Sequence, residues 1–343
     1  PERPTLKHPS ESRYIGKPMK QLDTPAKVRG EANFGIDARP EGLLFATVLH
    51  CPIFGGSVAS FAHAEALAVT GVRHIFEISS GIAVVADNTW AAFEGSDKLD
   101  VTWNKGDFTM NSADIFEHFA EVAEEEGLEA RSEGDIPAGL STVETEVKAV
   151  YEAPYLAHAT MEPMHCTVHI QSDRAEVWVP TQGPQGVQSA VARLAGIPEE
   201  RVIVHPMFVG CGLGRRSATD FVADAVETAM KVDSPVQVLW TREEDMRHDL
   251  YRPAAYAKFE GGVDADGHIA AYRLRAVAQP LSPTGSGSRG GRGGGAQRPD
   301  RNAVDGLVSM PYEVSNLLID YGRPKPQVRT PTGYWRSVGP SQD

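Results

Sequence analysis

Val202-Ile203-Val204-His205-Pro206-Met207-Phe208-Val209-Gly210-Cys211-Gly212-Leu213-Gly214-Arg215-Arg216-Ser217 reads as a β-run, a glycine-punctuated loop and the threshold of a helix. Beyond it, Phe221, Ala225 and Ala229, and beside them Val222, Val226 and Met230, recur at spacing four, which predicts an amphipathic helix over 217–230. Ser217 is the expected N-cap and Asp220, three residues on, its capping-box partner. Alternating glycines allow positive φ and close approach of the backbone to a bulky ligand. Unpaired N–H groups at the helix start, together with the Arg215 and Arg216 guanidinium groups, are expected to attract an anion, such as a phosphate-bearing or pterin-like cofactor. The loop is neither of the common nucleotide loops. A Walker A sequence needs Gly-Lys where Arg215 and Arg216 stand, and a dinucleotide loop needs Gly at Arg215. The competing reading is a tight turn with surface arginines.

Working backward, Val179-Pro180-Thr181-Gln182-Gly183-Pro184 is a second strand-to-helix corner. It places the Gln182 amide at the carboxyl end of a strand, where α/β architectures collect ligands. A helix over 184–195, with Val187, Ala190, Val191 and Leu194 on one side, is stopped by Gly196-Ile197-Pro198. Residues 158–166, HATMEPMHC, offer imidazole, carboxylate and thiol. Their spacing matches no metal motif and Pro163 breaks the helix that would align His158 with Glu162, so a structural role is expected.

From about Arg13 to Asn104 short β-runs (43–49, 72–78, 82–86, 99–103) surround one helical piece near 62–69, a small α+β unit. Residues 106–142, with a polar, acid-rich helix, suit a linker. Residues 143–343 alternate strands (175–179, 202–205, 236–240) with helices. The predicted class is α+β. Ser282–Arg301, SPTGSGSRGGRGGGAQRPDR, has almost no apolar side chains and reads as a surface loop. An RNA-binding Arg-Gly-Gly segment is the alternative, and the acidic excess weighs against it.

The whole chain has 343 residues, 46 Asp+Glu against 33 Lys+Arg, and a net charge of -13. That balance disfavours a phosphate-backbone binder, and nucleic acid is not expected as a partner. Cys51, Cys166 and Cys211 are too few and too scattered for a disulfide framework or an iron–sulfur site. No apolar run approaches the roughly 20 residues of a spanning helix, and the first residues lack a signal-peptide core. The chain begins with Pro and stops within Tyr334-Trp335-Arg336-Ser337-Val338-Gly339-Pro340-Ser341-Gln342, so continuation or completion by further polypeptide is expected.

These features together resemble the molybdenum-binding subunit of the xanthine dehydrogenase/aldehyde oxidase family, and within it the branch of isoquinoline 1-oxidoreductase beta subunits. The resemblance rests on Arg13–Pro18 through Leu22–Gly30, Val85–Ala92, Tyr155–Pro163, Thr241–Asp245 through Tyr251–Pro253, and the two loops above. It implies an α/β hammerhead domain over 1–105 and the first part of a molybdenum cofactor-binding domain over 143–343, with the Gly/Arg-rich loop at 282–301. By position Gln182 matches the family glutamine that hydrogen-bonds an oxo or hydroxo group on the metal. Gly210, Cys211, Gly212, Leu213, Gly214 and Arg215 match its first cofactor loop, and Arg336 the arginine of its second. Gln182, Leu213 and Arg336 are thereby the catalytic candidates; no side chain of the chain is expected to ligate the metal.

Cys211 stands for a family Gly and Leu213 for a family Phe, so substrate choice does not transfer. The resemblance implies a molybdenum–molybdopterin cofactor in its cytosine dinucleotide form. It also implies iron–sulfur clusters on a partner subunit, a cytochrome c acceptor, a small-molecule substrate and a bacterial periplasmic or else cytoplasmic location. The general base is expected C-terminal of Gln342, with the active site completed by the missing parts of the molybdenum subunit. Two rivals stand beside this: a non-catalytic scaffold fragment, and an anion- or nucleotide-binding module built on the glycine–arginine loop.

Overall fold

The computed structural model describes residues 5–281, 298–325 and 328–336. In chain order the strands are β1 Leu44–His50, β2 Ser57–Ala62, β3 Val72–Ile78, β4 Gly81–Ala86, β5 Asp100–Asn104, β6 Leu128–Glu133, β7 Thr145–Ala153, β8 His165–Ile170, β9 Ala175–Val179, β10 Val202–Pro206, β11 Val236–Leu239, β12 Ala255–Val263, β13 Ile269–Ala278 and β14 Leu317–Gly322. The helices are α1 Thr24–Val28, α2 Ala64–Leu67, α3 Thr89–Asp97, α4 Ser112–Glu124, α5 Ile136–Leu140, α6 Pro184–Ala195, α7 Asp220–Ala229, α8 Arg242–Arg247 and α9 Arg301–Val308. None of these helices is long and apolar enough to cross a membrane.

The class is α+β, as expected. A seven-stranded sheet runs β10-β9-β8-β11-β1-β4-β3, a five-stranded sheet runs β6-β14-β13-β12-β7, and β2 pairs with β5. Most neighbours are antiparallel; β1/β11, β9/β10 and β13/β14 are parallel. On the first sheet, α7 buries Phe221, Val222, Ala225 and Val226, and α6 buries Val187 and Val191, against Val168, Val177 and Val238. Burial of that apolar stripe, rather than propensity, holds such short helices. Gly196, in the left-handed region at φ 69, ends α6 as the Gly-Ile-Pro sequence predicts. Helix α7 starts later than predicted: it begins at Asp220 with Thr219 at the N-cap, and Arg215–Ser217 form a separate 3-10 turn.

The divisions expected at 105/106 and 142/143 do not coincide with breaks in the backbone pairing. β1 lies parallel to β11, with Leu44 opposite Val236, so strands from both sides share one sheet. The expected linker is also built into the second layer. β6 pairs with β14, and α4 packs Ile115, Phe119 and Val122 against Tyr256 and Val277. The stripe at 115, 119 and 122 is the helical apolar face that the acid-rich composition hides. The expected loop at 282–301 is shortened at its end, because Asp300 caps α9 by accepting from the Asn302 amide; residues 282–297 lie outside those described.

Ile319 on β14 is fully buried beside Leu274 and Leu317. Ile319→Val should cost about 0.5–1.5 kcal/mol, read as a lower urea midpoint at unchanged m-value.

Candidate functional site

The two strand-to-helix corners meet. β9 delivers Gln182 at its carboxyl end, and the loop after β10 folds back over it. The Gln182 amide N–H donates to the Arg216 carbonyl at 2.9 Å, and Gln182 Oε1 accepts from the Gly214 N–H at 3.2 Å. With Oε1 committed to a donor, the Nε2 group of this exposed side chain is left as a donor, without a protein acceptor among the described residues. The stretch Tyr334–Arg336 closes the corner: the Arg336 N–H donates to the Leu213 carbonyl at 2.5 Å. A Cβ at Gly214, where φ is 103, would run into the Tyr334 carbonyl oxygen, so only glycine lets the two loops touch.

Positive φ at Cys211 (76), Leu213 (53) and Arg336 (38) concentrates backbone strain in these two loops. Cys211 therefore keeps a glycine-like conformation without being glycine. Among the described residues the N–H groups of Cys211, Gly212 and Leu213 have no hydrogen-bond acceptor, while the Cys211 carbonyl is turned inward to Arg216. Successive free amides in such a turn form a concavity that takes an anion or a carbonyl oxygen.

Arg215 and Arg216 do not serve that concavity. They are 1% and 0% exposed, so they are neither the anion-attracting groups expected nor the surface arginines of the competing tight-turn reading. Arg215 is spent on Asp220 at 2.6 Å and Asp249 at 2.7 Å. Burial would lower its pKa, but these carboxylates hold it above the ordinary value. Asp220, expected in a capping box, is thus the partner of Arg215. Arg216 donates to the carbonyls of Glu162 at 2.6 Å and Cys211 at 3.0 Å, and lies 3.5 Å from Glu162 Oε2. Burial brings it down to about 10, partly offset by Glu162, so it stays charged at neutral pH. Bare guanidinium groups cannot be buried without such partners, which is why the two arginines fix the loop from below. The available cation is Arg336: it is exposed and has no carboxylate at ion-pair distance among the described residues.

The 158–166 cluster turns out to be the floor, in the structural role expected of it. Glu162 accepts from the Gly210 N–H at 2.8 Å and the Ile36 N–H at 3.0 Å, with His165 Nε2 at 3.2 Å. Burial alone would raise the Glu162 pKa, but His165 and these two amides hold it below the ordinary carboxylate value. His158 bridges Asp249 at 2.9 Å and the Tyr334 carbonyl at 2.8 Å, tying Arg215 to the second loop. Sequence reasoning misses Asp249 as a site residue, since an isolated Asp carries no local signal. Because the folded pKa of Glu162 is depressed, its contribution is present above the unfolded value near 4.5 and lost as pH falls through the folded one. Stability against urea should therefore fall more gently on acidification in Glu162→Gln than in wild type.

Residues 120–281 match the molybdopterin cofactor-binding domain family. The chain is 29% identical to the isoquinoline 1-oxidoreductase beta subunit of Brevundimonas diminuta over 80% of its own length and 36% of that protein's. It is 28% identical to a subunit of nicotinate dehydrogenase from Pseudomonas putida over 78% of its length and 23% of that protein's. It spans only about a quarter to a little over a third of these relatives. Quinoline 2-oxidoreductase from Pseudomonas putida 86 superposes with a TM-score of 0.72 over 95% of this chain and 46% of that one, at 14% identity. Aldehyde oxidoreductase from Desulfovibrio gigas gives 0.69 over 93% and 39%, also at 14%. Both share the fold. The donor set at the corner suits a molybdopterin group: three free amides, the Gln182 Nε2 donor and the Arg336 charge. The Trp335 Nε1 atom in the second loop is likewise buried with no partner among the described residues.

Proposed function

We propose that this chain, whose residues 120–281 match the molybdopterin cofactor-binding domain family, is a member of the xanthine dehydrogenase/aldehyde oxidase family and forms part of the catalytic subunit of a molybdenum hydroxylase acting on an aldehyde or an N-heterocycle. The single observation that carries this reading is the corner where Gln182, the Cys211–Leu213 amides and Arg336 present unspent donors above a rigid buried floor. In this reading the cofactor takes the cytosine dinucleotide form, and when bound it supplies a two-electron redox centre and the Lewis acidity that activates water. The loop amides would hold oxygens of that group in place. Gln182 Nε2 would donate a hydrogen bond where negative charge develops, and the strained loops would keep that donor pre-aimed. The buried Arg216 and Glu162 let Gly210–Gly214 hold this shape without recruiting surface charge. The rival anion or nucleotide module loses its two cations to Asp220, Asp249 and Glu162.

Hydroxylation of a C–H bond by water releases two electrons and two protons, so an electron exit is required. Three scattered cysteines cannot supply the four thiolates of a cluster within residues 1–343, so the electron exit in this reading lies on polypeptide outside them, proposed as an iron–sulfur partner subunit with a cytochrome c acceptor beyond it. A periplasmic location belongs to the same reading and is checked by cell fractionation. Turnover of the complete enzyme in ¹⁸O-labelled water, with an artificial electron acceptor, should place the label in the carboxylate or hydroxy-heterocycle formed. Unlabelled product would reject water as the oxygen source, and no turnover on either substrate class would reject the reaction.

A further inference from the structure

We propose that His50, Glu244 and His248 form a binding site for a divalent transition-metal ion of the zinc type, with Asp224 as its supporting carboxylate. His50 ends β1; Glu244 lies in α8, and His248, four residues on, caps that helix and shares its face. His50 Nδ1 stands 2.7 Å from Glu244 Oε2, and His248 Nε2 stands 3.3 Å from the same oxygen. The two imidazole centroids are 4.7 Å apart, so one nitrogen from each ring and one carboxylate oxygen converge within 4.8 Å. Two imidazoles and a carboxylate are a donor set that zinc accepts, with copper, nickel and cobalt as chemical relatives.

The surroundings add a second argument. His50 Nε2 lies 2.9 Å from Asp224 Oδ2, and Asp224 also accepts from Trp240 Nε1 at 2.9 Å and Ser80 Oγ at 2.6 Å. A ligating histidine characteristically donates its other ring N–H to such a fixed carboxylate, which here leaves Nδ1 facing Glu244 and His248. Charge points the same way. Asp224 and Glu244 are both buried, and among the described residues no lysine or arginine lies at ion-pair distance from either. A divalent ion would cancel the charge of the two carboxylates without needing a proton on the ring nitrogens that face Glu244. The ion would bind the end of β1 to α7 and α8. His248 precedes Asp249, so occupancy would also stiffen the floor beneath the candidate site.

This inference stands apart from the cofactor reading and is tested with the metals alone. The complete subunit, dialysed against a chelator, is titrated with Co²⁺ and then with Zn²⁺ as competitor, following the ligand-field absorption of Co²⁺ and the unfolding temperature. One equivalent should bind with a visible ligand-field band, be displaced by Zn²⁺, and raise the unfolding temperature. His248→Ala and Glu244→Gln should each weaken binding by at least about 10-fold, and Asp224→Asn by about 10- to 100-fold. Asp264→Ala, in the exposed turn between β12 and β13, should change nothing. His248 is partly exposed and Glu244→Gln preserves shape, so unchanged circular dichroism is expected in both. Absence of saturable Co²⁺ uptake, uptake unaltered in both ligand variants, or loss of uptake in Asp264→Ala would overturn the site.

Discussion

Arg216→Met should destabilise the protein by about 3–5 kcal/mol, the usual cost of removing one partner of a buried charge pair. The side chain is 0% exposed and its guanidinium is the shared donor for the carbonyls of Glu162 and Cys211. Methionine keeps much of the volume but satisfies none of these oxygens, and it leaves the Glu162 carboxylate buried with only His165 and two amides. Urea unfolding measures the effect directly. The double variant Arg216→Met/Glu162→Gln should recover part of the loss, because the orphaned charge is gone while the amide acceptor remains; a coupling energy of about 0.5–3 kcal/mol is expected. A single-variant cost under about 1 kcal/mol would show that the arginine is solvated and that the loop does not rest on it.

Gln182→Ala, made in the complete enzyme, should lower kcat by about 10²–10³-fold with KM and molybdenum content little changed. The asymmetry follows from the geometry. Oxygen Oε1 is committed to the Gly214 amide at 3.2 Å, so what the alanine removes toward the proposed ligand is a single Nε2 donor. Loop placement rests mainly on Glu162, Arg216 and His158, which the substitution leaves intact. A normal kcat would reduce Gln182 to a turn residue. A kcat loss that tracks molybdenum loss would make it a loop support rather than a donor to the reacting atoms.

What the sequence reveals, and what it hides, follows from the range of each signal. Local periodicity and turn chemistry are legible: the faces of α6 and α7, the stop at Gly196, and the two corners that carry Gln182 and Gly210–Gly214. Non-local pairing is not. Nothing in Leu44–Ala46 announces a parallel partner at Val236–Val238, so a division at 105 runs through a sheet. Arginines beside glycines at a helix start look like an anion trap. Their reversal into a buried clamp depends on Asp249, Asp220 and Glu162, which lie respectively 34, 5 and 54 positions from the arginine each one holds. The exposed cation beside the loop, Arg336, is legible only through resemblance; its backbone N–H donates to the Leu213 carbonyl. Residues 337–342 of that second loop lie outside those described.

The cofactor is proposed to sit at the corner where Gly214 meets Tyr334. The most direct test is elemental analysis of the complete subunit purified natively from its host, combined with fluorescence of the oxidised pterin released on denaturation. Molybdenum and pterin are expected in equal, stoichiometric amounts in the wild type, with both lost together from a folded Gly214→Ala variant, whose Cβ would collide with the Tyr334 carbonyl oxygen and part the loops. A folded wild-type subunit carrying neither molybdenum nor pterin, or a Gly214→Ala variant that retains both in full, would contradict that placement.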